Sequence, residues 1–122
     1  MPHNFENLDV WRRSVDLAVK IYGLTKGRRD YSLRDQMLRS SVSIPSNIAE
    51  GSEKESEREF KRFLAIAKGS AAEMRTQVVI AGRIGLLTND VTFEIRSELI
   101  EISRMLHALI LGDKKRRPKT SI

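Results

Sequence analysis

Few side chains in this sequence could make or break a covalent bond. The histidines are His3, beside the N-terminus, and His107, set between Leu106 and Leu109 in an apolar helical pattern. A general base needs a partner that orients it, and neither histidine has one in sequence, so His107 reads as a partly buried or interface residue. Cysteine is absent, which removes thiolate nucleophiles, thiolate metal sites and disulfides. The Glu-x-x-His spacing of di-iron bundles is also missing, because Arg104 stands three residues before His107. Gly-rich phosphate loops and nucleophile elbows do not occur. The sequence therefore assigns no catalytic residue, cofactor or metal, and the expectation is a protein that is not an enzyme.

Two stripes carry non-covalent chemistry instead. Lys54, Arg58, Lys61, Lys68, Arg75 and Arg83 project within a sector of roughly 100° at helical spacing, with Arg62 at its edge and Glu57 as the acidic member. Opposite them lie Phe60, Phe63, Ala67, Ala71, Met74 and Val78, the expected core side. The basic stripe must then face outward, either as an ordinary solvated face or as a surface that attracts phosphate. The second stripe is Gln36, Ser40, Ser43, Asn47 and Glu50. Short, almost uncharged polar groups on one helix face suggest partial burial with hydrogen bonds to another helix, within the subunit or between subunits.

Four amphipathic segments must position these residues, at about 8–25, 32–51, 56–84 and 90–111. In the first, Leu8, Trp11, Val15, Ala18 and Tyr22 recur at helical spacing beside a second stripe of Val10, Leu17, Ile21 and Leu24. Ser32 with Asp35 and Ser56 with Glu59 resemble capping boxes, and Gly27, Gly51, Gly82, Gly85 and Gly112 suggest stops. Pro45 falls inside the second segment, where it removes a backbone donor at a cost of about 3 kcal/mol. One kinked helix ending at Gly51 and a fresh helix with Pro45 at its first position are both open readings. The expected fold is all-α, an up-and-down antiparallel four-helix bundle with its second helix kinked near Pro45.

The segment Ser43-Ile44-Pro45-Ser46-Asn47-Ile48-Ala49-Glu50-Gly51, with Phe60-Lys61-Arg62-Phe63-Leu64 and Ile66 to Glu73, resembles the four-helix-bundle proteins encoded in intervening sequences of bacterial 23S rRNA genes. The opening Phe5-Glu6-Asn7-Leu8-Asp9-Val10-Trp11 is similar to that family too, so the resemblance spans roughly Phe5 to Leu111. It implies an up-and-down bundle, a ring-like homopentamer and no known enzymatic activity. A distant similarity reaches the accessory variability determinant of diversity-generating retroelements, a basic pentamer that binds nucleic acid and a reverse transcriptase.

Bulk composition agrees with one small domain, since 122 residues with 40% hydrophobic content can build one core. No run approaches the roughly 18 apolar residues of a membrane span, and the first residues lack the pattern of a signal peptide, so a cytoplasmic protein is expected. The net charge of +6 is uneven: residues 113–122 carry five basic side chains and one acidic, leaving +2 for the rest. Residues 1–112 are expected to form the bundle. Lys114, Lys115, Arg116 and Arg117 belong to a basic tail with nothing apolar to bury, expected to be disordered. The tail reads as a nucleic-acid-binding arm, a solubilising segment or a general attractor of polyanions. The sequence thus points to an oligomeric scaffold associated with nucleic acid through Lys54, Arg58, Lys61, Lys68, Arg75, Arg83 and the tail, and the genetic setting of the family it resembles implies RNA in preference. The competing reading is an adaptor that docks a partner protein and does not itself touch nucleic acid.

Overall fold

The computed structural model describes residues 4–29 and 31–112. Among them are a short 3-10 helix, Phe5–Asn7, and four α-helices: α1 Asp9–Thr25, α2 Tyr31–Ser52, α3 Glu57–Arg83 and α4 Asn89–Ile110. The expected boundaries agree with these to within one residue or so at each end. The basic tail lies outside the described residues.

Each helix packs on the next, and α1 also meets α4 to close the bundle. Cross-helix contacts show the alternation of direction. Ser43 meets Ser70 and Gly51 approaches Phe63 between α2 and α3. Lys68 meets His107 while Gly82 approaches Thr92 between α3 and α4. Arg13 pairs with Glu98 and Lys20 with Glu94 between α1 and α4. In each of these three pairs one number rises as the other falls, so α1 also runs opposite to α2 and neighbours are antiparallel, as an up-and-down bundle requires.

The core joins Leu17 and Ile21 of α1, Met37, Ile44 and Ile48 of α2, Phe60, Leu64, Met74 and Val78 of α3, and Ile95, Leu99, Ile102 and Leu106 of α4. Of the two stripes on α1, the one through Val10, Leu17 and Ile21 is buried, whereas Tyr22 is 58% exposed. The spacing of Tyr22 in the first apolar stripe suggests a core position, which its exposure corrects. Two helices bracket α1, and the ring of Tyr22 lies beyond the sector they cover.

α2 runs without a break through Pro45, which is buried, so the single-helix reading holds over a fresh start. Proline leaves the Ser41 carbonyl without its usual donor. Nearby side chains add bonds to the same helix: Ser41 Oγ donates to the Leu38 carbonyl at 2.9 Å and Asn47 Nδ2 to the Ser43 carbonyl at 2.8 Å. Ser52 Oγ does the same to Ala49 at 2.8 Å.

Local signals worked unevenly. Ser56 caps α3 by accepting from the Glu59 amide at 3.1 Å, but the Glu59 carboxylate turns forward to Arg62 rather than back to the cap. Ser32 lies inside α2, and Asp35 pairs with Arg34, so the expected box there is not formed. Gly82 is no stop either; a Cβ there would sit 2.6 Å from Thr92 Oγ1, so the glycine serves the close approach of α3 and α4. The turn falls at Gly85, whose φ of 82° a residue with a Cβ rarely adopts. Thr88 then caps α4, accepting from the Val91 amide at 3.2 Å.

Candidate nucleic-acid interface

α3 places its basic residues by simple periodicity, yet the bundle divides them into three groups. At the N-terminal end, Lys54 precedes the helix and stands over the Phe63 ring at 5.3 Å, with Arg62 over the same ring at 4.6 Å. Glu59 receives Arg62 Nε and Nη2 at 3.1 and 3.2 Å. That bond, with the charges of Lys54 and Arg58, holds the Glu59 carboxyl below its ordinary range. Arg58 and Lys61 share this carboxylate-rich turn, where Glu53, Glu55, Glu57 and Glu59 stand close in sequence. The carboxylates here suit the positive start of the helix, while the cations pair with Glu59 and cover the Phe63 ring.

The middle of the stripe differs. Lys68 and Arg75 are half-buried along the seam with α4, and among the described residues no carboxylate pairs with either. Lys68 Nζ lies 3.1 Å from His107 Nδ1. An ammonium can only donate, so in this contact Nδ1 is the acceptor. Arg104, one turn before His107, makes a loose contact of 3.7 Å with Glu101. Sequence reasoning missed Arg104 as a site residue and expected His107 to be partly buried or at an interface; within this chain it is exposed. The available clue was the spacing of Arg104 and His107, which puts both on one side of α4. Arg83, the third group, is exposed by itself at the far end of α3.

The second stripe is a seam between α2 and α3. Ser43 Oγ and Ser70 Oγ share a hydrogen bond of 2.8 Å across the helices, and Asn47 Nδ2 reaches Ser43 Oγ at 3.0 Å. Ser40 is buried, whereas Gln36 and Glu50 at the ends are exposed. Gly51 lets the helices come this close, because a Cβ there would lie 2.6 Å from the Phe63 Cβ and 3.2 Å from the Phe60 carbonyl. Further along, Gln77 is only 7% exposed and its Oε1 has no hydrogen-bond partner. It lines the seam with Gln36, Arg39, Ser40, Ser43 and Glu73.

A family model described as 23S rRNA-intervening sequence protein matches residues 6–108, a span that begins before α1 and ends in the last turn of α4. The chain belongs to that family. A crystal structure of a protein of unknown function from the S23 ribosomal protein family of Bacteroides thetaiotaomicron VPI-5482 is similar, with 28% identity and a TM-score of 0.78. The likeness covers 83% of this chain and 97% of that one. No curated protein matches the chain. Both the Ser43–Ser70 seam and the Lys68–His107 contact fall within the span that matches the intervening-sequence family.

Among the described residues no three His, Asp or Glu side chains group as a metal site, and no helix is long and apolar enough to cross a membrane. Exposed aromatics available for stacking on bases are Tyr22, Tyr31 and Phe93. Arg34 lies 4.8 Å from the Tyr31 ring, and all three rings lie outside the Lys68–His107 region.

Proposed function

We propose that this member of the 23S rRNA intervening-sequence family is a non-enzymatic, oligomeric cytoplasmic scaffold that associates with nucleic acid, RNA in preference. The observation that carries the reading is the segregation of charge on the bundle. Lys68 and Arg75 of α3, with Arg104 and His107 of α4, gather on one side. Asp90, Glu94, Glu98 and Glu101 gather on another side of α4, where Arg13 reaches them from α1. A body with a small net charge can therefore still present a cationic edge to phosphate, while the acidic side turns the nucleic acid away and orients it. The tail adds cations in sequence. Selectivity among bases should be low, because the cationic edge lacks Phe, Tyr and Trp rings.

A second reading has its own support. Between Arg58 and Arg83 the outermost sector of α3 is not basic: it carries Ala65, Gly69, Ala72 and Thr76, all exposed, flanked by exposed Ile66 and Ile80. Such a face suits close approach by another helix, from a second copy or from a partner protein. Self-association there, as a pentamer by family resemblance, is compatible with the first reading; docking of a partner without nucleic acid is the adaptor alternative.

Reversing the charge of Lys61, Lys68 and Arg75 in the full chain separates the two. Loss of RNA binding in fluorescence anisotropy with unchanged oligomer size in light scattering supports the scaffold on nucleic acid. Unchanged RNA binding with loss of a protein partner supports the adaptor.

A further inference from the structure

We propose that Lys68 and Arg75 of α3 and Arg104 and His107 of α4 form a single phosphodiester-binding groove, in which one nucleic-acid strand lies along the α3–α4 seam. The proposal rests on the nucleic-acid reading above and assigns it a place, a donor set and a strand state.

The seam opens into a groove of about 500 Å³ whose polar lining is Lys68, Arg75, Ser103, Arg104 and His107, over an apolar floor of Ile100 and Ala108. α3 contributes Lys68 and Arg75, and α4 the other lining residues. Lys68 and Arg75 are seven residues apart, about 10 Å along α3 at 1.5 Å per residue. His107 sits beside Lys68, and Ile100, seven residues earlier on antiparallel α4, is level with Arg75. Positive charge is thus spread along a line rather than piled at a point, which is the pattern of a backbone and not of a single anion.

The donors suit phosphate oxygens. Arg75 and Arg104 can each present a planar fork to two oxygens, and Ser103 adds a hydroxyl. Because His107 Nδ1 accepts from Lys68, its Nε2–H is left to donate outward. Arg104 also reaches Glu101 of the acidic side, at 3.7 Å, with both side chains well exposed. A loose surface pair of that kind holds Arg104 weakly, so a phosphate displaces it at little cost. No Phe, Tyr or Trp lines the groove and its one ring is the His107 imidazole, so it grips backbone and reads the bases little. Helix axes about 8–10 Å apart leave a furrow that a flexible strand can follow, whereas a stiff duplex would touch only its rim.

The test uses the full chain with the tail neutralised by Lys114→Gln, Lys115→Gln, Arg116→Gln and Arg117→Gln, so that tail binding does not mask the body. Fluorescence anisotropy is read with a labelled single-stranded RNA, the matching DNA strand and the RNA duplex at several salt concentrations. Arg104→Gln with His107→Gln is compared with Arg58→Gln with Arg83→Gln, pairs of exposed residues inside and outside the groove; circular dichroism checks the fold. The α4 pair is expected to weaken single-strand binding about tenfold and to lower the log–log salt slope by about 0.7 for the lost arginine contact. The control pair should change affinity less than about threefold. Equal losses from both pairs, an unaffected α4 pair, or a preference for duplex overturns the groove while leaving nucleic-acid association standing. Absence of binding to any of the three probes, with and without the tail substitutions, defeats the wider reading as well.

Discussion

The two flanks of α3 solve opposite problems with polar residues. Toward α2 the bonded side chains Ser43, Asn47 and Ser70 are short and neutral, Ser43 and Ser70 bond across the helices, and Gly51 draws the backbones together. Toward α4 the side chains are long and cationic, and part of their hydrogen-bonding capacity is left facing outward. The difference separates polar groups that complete a fold from those that can act on something else. A serine hydroxyl satisfied inside the bundle has little left to offer, whereas an unpaired guanidinium half in water can exchange solvent for phosphate.

Substitutions sharpen this contrast. The largest expected stability effect belongs to Gly51→Leu, whose side chain must displace Phe63; about 3 kcal/mol should be lost in urea unfolding, the upper end for overpacking. Asn47→Leu removes the donor to both Ser43 oxygens and should cost about 1–2 kcal/mol by the same measurement, while comparable truncations on the α4 flank leave stability nearly unchanged. Gln77→Leu should move stability the other way, by about 1 kcal/mol, since it removes a buried oxygen that has no partner. If thermal unfolding instead shows a loss, Gln77 belongs to the satisfied part of the seam. On the α4 flank, Lys68→Ala should leave stability near wild type but shift the imidazole nitrogens of His107 in NMR spectra, because Nδ1 loses its donor.

The smallest effect concerns the charge-paired start of α3. Glu59 is ionised more readily in the folded chain than in the unfolded one, so its contribution is present above the ordinary glutamate range and lost as pH falls through the lowered value. Glu59→Gln should therefore flatten the acid end of the stability profile slightly, and a profile identical to wild type would show the Arg62 pair to be energetically silent.

Most of the architecture was legible in the sequence because it is written in short-range chemistry. Spacing of Leu17 with Ile21 and of Ile95, Leu99, Ile102 and Leu106 marked buried faces, and the Ser56 cap was readable from its neighbours. The seam on α2 was legible as a face, and its bond to Ser70 gave it an address. The division of the basic stripe was not. Long side chains such as Arg62 reach carboxylates outside their own projected sector, so a wheel cannot tell which cations are already paired. Arg104 and His107 join Lys68 only once the register of α3 against α4 is set, partly by the close approach at Gly82. Ser32 failed as a cap because Tyr31 is already helical, a shift of one turn position that composition does not reveal.

The closure of α1 on α4 has a consequence for motion. Few residues of these helices come close together, and their seam is fastened by Arg13 on Glu98, at 2.8 and 2.7 Å, and by Lys20 on Glu94. Both pairs are partly exposed, so dissolved ions weaken them. α3, by contrast, is gripped along its length from both sides. The bundle should therefore breathe at one edge: amide protons of α1 exchange with solvent sooner than those of α3, and faster still in strong salt, while the opposite wall of the molecule keeps its shape.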